Sequence, residues 1–286
     1  LQHHARGCYS ALSYVKRSNR AAEYALYEAE ALSVLADRLT GEDNYPSEKL
    51  KKAWKNVLFN QFHDIMGGCA IKSAYKDASY LYGEAMSITE QASNTAMTRI
   101  ALNADTLHDE TMPTAKINWR LWSGGKLGAP VFVFNPHAWD VEAVVGITAV
   151  ASRITDDRGN EVAIQKIRAE HTNGADKYGT AFIARIPALG YKLYRIFTDG
   201  EPTVKNAVGV TEHSLENNLI KVVFSEKTGE ISGFVDKRTG EDILSGETGT
   251  VLLDETACDT WAHDKVYLGE DAGSFGEPVF SIIEKG

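Results

Sequence analysis

Leu50-Lys51-Lys52-Ala53-Trp54-Lys55-Asn56-Val57-Leu58-Phe59-Asn60-Gln61-Phe62-His63-Asp64-Ile65-Met66-Gly67-Gly68 is the stretch on which the reading of the chain turns. Leu50, Trp54, Val57, Leu58 and Phe62 recur at three- and four-residue steps, which places them on one face of a helix. Pro46 stands just ahead, where a first-turn proline is tolerated, so a helix is expected to open there. Its end is expected near His63-Asp64, because Gly67-Gly68 follows. A helix end can project polar groups away from the packed face, and the glycines let another backbone or a ligand come close.

The same periodicity predicts two more helices, one on each side. Upstream, Leu12, Val15, Ala22, Leu26, Ala29, Leu32, Leu35 and Leu39 form one stripe from about Ser10, with Gly41 as a stop. Downstream, Ile71, Ala74, Tyr75, Ala78, Leu81, Ala85, Ile88, Ala92 and Ala96 carry the stripe of a helix expected to start near Cys69. Three amphipathic helices with short connections read as an antiparallel three-helix bundle.

The texture changes near residue 110. Val131-Phe132-Val133-Phe134 is a buried run stopped by Asn135-Pro136. Further strands are expected over Val141 to Val150, Tyr178 to Ile186 and Tyr191 to Phe197. Another pair, Leu219 to Phe224 and Glu230 to Val235, is expected to form a hairpin around Lys227-Thr228-Gly229. Many strands with no helix between them favour an antiparallel β-sandwich. The expected fold is therefore α+β and multidomain: a three-helix bundle over 1–108 and a β-sandwich over 109–286. The chain starts without Met and ends at Ile282-Ile283-Glu284-Lys285-Gly286 with no closing element, so sequence is expected on both sides of it.

Composition narrows the partners. Hydrophobic residues are 43% and charged residues 24% of the 286, enough apolar content for sizeable cores. The net charge of -9, with no basic run, argues against a phosphate backbone or an anionic membrane as partner. No stretch approaches the roughly 18 apolar residues of a membrane span. Cys8, Cys69 and Cys258 are far apart and odd in number, which argues against a disulfide framework and favours the cytoplasm. Cys69 itself reads as structural, not nucleophilic, at a helix start where Ser or Thr would cap better.

His63 and Asp64 carry the most specific chemistry. Imidazole is a good zinc ligand, and an adjacent carboxylate can accept hydrogen bonds from hydroxyls. The alternative is that His63 caps the helix end and Asp64 the next turn. His3 and His4 precede the first helix and are candidates to line a ligand site or to lie on the surface. Tyr9 either points the same way or packs the bundle. Trp261 lies in the polar loop Asp259-Thr260-Trp261-Ala262-His263-Asp264. It offers a face on which a sugar can stack, or else it fills a core.

The run Asn60 to Gly68, after Trp54-Lys55 and before Ala74-Tyr75-Lys76-Asp77-Ala78, resembles glycoside hydrolase family 38, the α-mannosidases. Three further stretches agree: His3-His4-Ala5-Arg6-Gly7-Cys8-Tyr9-Ser10 with Lys16, Asn19-Arg20 and Glu23; Val131 to Pro136; and Lys227-Thr228-Gly229-Glu230-Ile231 with Asp236-Lys237. The resemblance implies a middle domain and the start of a β-domain. In the family an N-terminal barrel carries a His-x-Asp zinc-ligand pair and the nucleophilic Asp, and the middle domain supplies the last zinc-ligating His in a Gln-x-His-Asp run. It thus implies His63 as a zinc ligand and Asp64 as a contact to sugar hydroxyls, with α-mannosides as substrate and the missing barrel as partner. No His-x-Asp pair occurs in this chain, so no catalytic residue is assigned within it and the isolated chain is expected to be inactive. A non-catalytic carbohydrate-binding or scaffold module is the competing reading.

Overall fold

A computed structural model of the chain describes residues 5–106, 127–169, 177–200, 208–254, 261 and 270–283. The expected boundary at 108/109 and the candidates His3 and His4 lie outside them. The described residues divide into two compact units, each with its own core. The first is mainly helical and runs to Thr106, with Pro136–Ala138, Leu253, Asp254, Trp261 and Glu270 belonging to it. The second is built of strands. The fold is α+β, with four α-helices and several antiparallel sheets among the described residues.

The helices are α1 (Ser13–Thr40), α2 (Ser47–Asn60), α3 (His63–Gly67) and α4 (Lys72–Leu102), preceded by a 3₁₀ turn, Arg6–Tyr9. None is long and apolar enough to cross a membrane. Helix α1 starts three residues later than its apolar stripe predicts, because Leu12 takes a left-handed conformation (φ 47°) that breaks the backbone ahead of Ser13. Gly41, also left-handed, ends it, and its N–H bonds to the Asp37 carbonyl.

Small residues set the packing of the helical unit. Ala22, Ala29, Ala53, Ala78, Ala85 and Ala92 are buried together with Val15, Leu26, Leu50 and Val57, so the helices approach closely. This shifts the stripe on α2. Leu50, Ala53, Val57 and Asn60 face inward, while Leu58 and Phe62 are more than half exposed. On α4 the buried line is Tyr75, Ala78, Tyr82, Ala85, Thr89, Ala92, Ala96 and Ile100, and Ile71 is exposed. Leu12 and Leu39 are likewise exposed at the two ends of α1.

In the second unit, β1 (Ala129–Asn135), β2 (Val141–Ile147), β3 (Arg153–Thr155), β4 (Ile164–Arg168), β5 (Tyr178–Ile186) and β6 (Gly190–Phe197) make two three-stranded antiparallel sheets. Their orders are β1-β6-β3 and β2-β5-β4. One core serves both: Phe182, Ala184 and Ile186 of β5 with Ile154, Tyr194 and Ile196. Alternation along β5 aims every second residue into it. The remaining strands, β7 (Gly209–Thr211), β8 (Ser214–Glu216), β9 (Ile220–Phe224), β10 (Ile231–Asp236) and β11 (Glu241–Asp242), form an antiparallel meander. The β9–β10 hairpin turns at Gly229 (φ 79°), where the sequence places it. Two more strands, β12 (Val251–Asp254) and β13 (Glu270–Ser274), form a two-stranded ribbon.

Candidate functional site

Helix α2 does not run on to His63. It stops at Asn60, and Phe62 is extended (φ -54°, ψ 135°), so His63 and Asp64 open a separate helix, α3. The cause is the pair of amides at the end of α2. Asn60 is fully buried and its Nδ2 donates to the Ala78 carbonyl at 2.9 Å. The Gln61 Nε2 donates to Glu23 Oε1 at 2.8 Å and to Asn19 Oδ1 at 3.3 Å. Tyr82 donates its hydroxyl proton to the same Asn19 oxygen at 3.3 Å. Burial among these groups, and next the negative charge of Glu23, push the Tyr82 phenol up to about 12. The network fixes the point from which the chain turns outward. Neither His63 nor Asp64 makes a side-chain cap, so the capping alternative is corrected.

The turn leaves His63 strongly exposed, at 76% of its side chain, with Asp64 at 45%. His63 Nε2 lies 3.4 Å from Asp64 Oδ1, and the ring tilts against Phe62 at 4.3 Å between centroids. The Asp64 main chain is held more tightly. Its carbonyl accepts from the Tyr75 hydroxyl at 3.2 Å, and that hydroxyl accepts from the Ala70 N–H at 2.9 Å. Gly68 ends α3 in the left-handed region (φ 83°), pressed against Ala11.

Around this corner lies an open cleft of about 590 Å³, lined by His63, Gln61, Met66, Cys69, Cys8, Tyr9, Lys16 and Trp261 among others. Trp261, the one described residue of its loop, is half-buried on this cleft. Tyr9 is 67% exposed there and does not pack the helical core. Cys69 is not at a helix start: α4 begins at Lys72 with Ile71 as its N-cap. Its sulfur instead approaches the Asp64 carbonyl and Oδ1, each at 3.6 Å. Burial, and next the hydrogen bond to Asp64, raise the Cys69 thiol. Desolvation lowers the Lys16 ammonium, against the pull of Cys8 and Cys69. Sequence reasoning missed Lys16 and the two cysteines as neighbours of His63, because nothing in their spacing brings them together.

Among the described residues no group of three or more His, Cys, Asp or Glu could hold a metal ion. His63 offers one exposed imidazole, which fits a single position of a zinc set. One imidazole does not retain zinc, which in protein sites takes three or four protein ligands.

Residues 3–100 match the α-mannosidase middle domain. Over 305 aligned residues, 98% of this chain, it is 24% identical to α-mannosidase G of Dictyostelium discoideum, of which it covers 26%. Over 76 residues, 27% of this chain, it is 36% identical to α-mannosidase 2C1 of Mus musculus, of which it covers 7%. The fold is that of a family 38 glycosyl hydrolase from Enterococcus faecalis, with a TM-score of 0.60 at 18% identity over 82% of this chain and 30% of the other. Residues 3–100 are thus similar to the middle domain of α-mannosidases, and the chain as a whole is similar to proteins of that kind. It spans about a quarter of the length of the Dictyostelium protein.

Proposed function

We propose that this chain is part of a zinc-dependent α-mannosidase that hydrolyses terminal α-mannosidic bonds with retention. It contributes one corner of the site. In this reading residues 1–108 form a three-helix middle domain and 109–286 a β-sandwich. The observation that supports the assignment most is that the Gln61–Glu23–Asn19 network turns His63 and Asp64 outward, within the segment that matches the middle domain. His63 would be one ligand of the zinc and Asp64 an acceptor for sugar hydroxyls. Bound zinc would supply a positive charge that holds hydroxyls and steadies a nucleophilic carboxylate. Trp261 would stack on the sugar, and His3 and His4 would line the same site. Retaining hydrolysis needs two carboxyls about 5–5.5 Å apart across the sugar. Asp64 is neither of them in this reading, so the chain alone is inactive and relies on a catalytic barrel. A cytoplasmic setting is proposed with it, because Cys8, Cys69 and Cys258 are odd in number and far apart in the sequence.

The test compares the full gene product with its His63→Ala and Asp64→Asn variants on a chromogenic α-mannoside, with zinc measured by elemental analysis. His63→Ala is expected to lose most zinc and most activity; full zinc occupancy in that variant overturns the assignment. Asp64→Asn is expected to keep zinc and lose activity, and unchanged kinetics refute its role. A second reading, a non-catalytic carbohydrate-binding module, draws on the place of Trp261 in the cleft. It predicts sugar binding that survives Asp64→Ala and is lost in Trp261→Ala.

A further inference from the structure

Gly67 sits beside two sulfurs that come from separate elements. A Cβ on Gly67 would stand 3.5 Å from Cys69 Sγ and 3.7 Å from Cys8 Sγ, so the two sulfurs are at most about 7 Å apart. Cys8 lies in the short turn Arg6–Tyr9, and Cys69 in the non-helical link between α3 and α4. Neither is locked in a long helix, so closing the remaining distance takes side-chain rotation and a small shift of two connectors. Both thiols are free and partly exposed, and both open on the cleft that Lys16 and His63 line.

We propose that Cys8 and Cys69 form a thiol-oxidation site that closes to a disulfide by exchange with a small-molecule disulfide of the glutathione class. The Cys8 thiolate attacks one sulfur of oxidised glutathione. The S–S bond of the reagent breaks, and the departing glutathione thiolate takes up the proton that Cys8 released. Cys69 then gives up its proton and attacks the Cys8 sulfur of the mixed disulfide. The second glutathione leaves and takes that proton. Two protein thiols are oxidised, and one glutathione disulfide is reduced to two thiols. Cys69 is the second to react because its hydrogen is held by Asp64 and burial raises its thiol. Closure removes the S–H that Cys69 presents to Asp64. It also ties the turn before α1 to the link before α4, so the new bond changes the surroundings of His63 and Asp64 directly.

The chain, carrying Cys258→Ser to remove the third thiol, is equilibrated with oxidised glutathione. It is then alkylated and digested without reduction for mass spectrometry. The expected product is a joined pair of peptides containing Cys8 and Cys69, lighter by two hydrogens and separated again by dithiothreitol. The oxidised chain is expected to melt several degrees higher, since the bond restrains the unfolded chain. Cys69→Ser is expected to stop at a glutathione adduct on Cys8. Glutathione adducts on both cysteines with no joined peptide overturn the proposal, and so does a chain that stays fully alkylated at both.

Discussion

The Gln61 side chain donates to Glu23 Oε1 at 2.8 Å, joining the end of α2 to the middle of α1 directly behind His63. A hydrogen bond to a charged acceptor contributes more than a neutral one, about 1.5–3 kcal/mol. Gln61→Leu is therefore expected to destabilise the chain by about 2 kcal/mol. In a double-mutant cycle with Glu23→Gln the coupling should be on the order of 1 kcal/mol. Urea unfolding of the four proteins measures it, and strict additivity would show that the contact contributes nothing.

Gly68 and Gly41 separate two costs. Both have positive φ, 83° and 71°. A Cβ on Gly41 meets nothing within 4 Å, whereas one on Gly68 stands 2.8 Å from the Ala11 Cβ. Gly41→Ala should cost about 1 kcal/mol for the backbone alone. Gly68→Ala should cost more, about 2–3 kcal/mol, because Ala11 must also shift. Equal unfolding midpoints for the two variants would refute the close approach to Ala11.

Tyr194 is buried between the sheets of the second unit, and its hydroxyl accepts from the Arg185 N–H at 2.9 Å. Its ring packs on Phe182 at 4.9 Å between centroids. Tyr194→Phe keeps the ring and removes the acceptor, with an expected loss of about 1–2 kcal/mol. Amide exchange at Arg185 should quicken in the same variant; unchanged protection there would count against the bond.

The turn after β10 sets up a pH dependence. The Arg238 guanidinium bonds Asp236, and the Arg238 backbone N–H adds a second bond, pushing the Asp236 carboxyl down to about 2. A depressed carboxyl contributes stability that is present above its unfolded value of roughly 3.9. That contribution is lost as pH falls through about 2. An NMR titration should place the midpoint there, and Arg238→Ala should raise it part of the way, since the turn backbone still donates. A midpoint that does not move in the variant would remove Arg238 as the cause.

Much of the fold was legible in the residues. The three long helices follow from three- and four-residue apolar spacing, and β5 runs over Tyr178–Ile186 as its alternation predicts. The phases of the stripes were less legible. Trp54, Leu58 and Phe62 keep helical spacing with Leu50, but Ala53 and Asn60 take the inner face. Alanine carries little pattern signal, yet close helix contact selects it. The short strands β3, β7, β8 and β11 show no clear alternation, and pairing with their neighbours makes them strands.

The helical and strand halves and a likeness to α-mannosidases were legible in the residues alone, as was the candidacy of His63 and Asp64, because periodicity and a short specific motif are local properties. That these two residues open a new helix instead of ending the old one follows only from packing. The reason is that the amides of Asn60 and Gln61 find partners on α4 and α1, and a partner on another element leaves no mark in local spacing. The same holds for Cys8 and Cys69, distant in the chain and brought to one glycine by the packing of the helices.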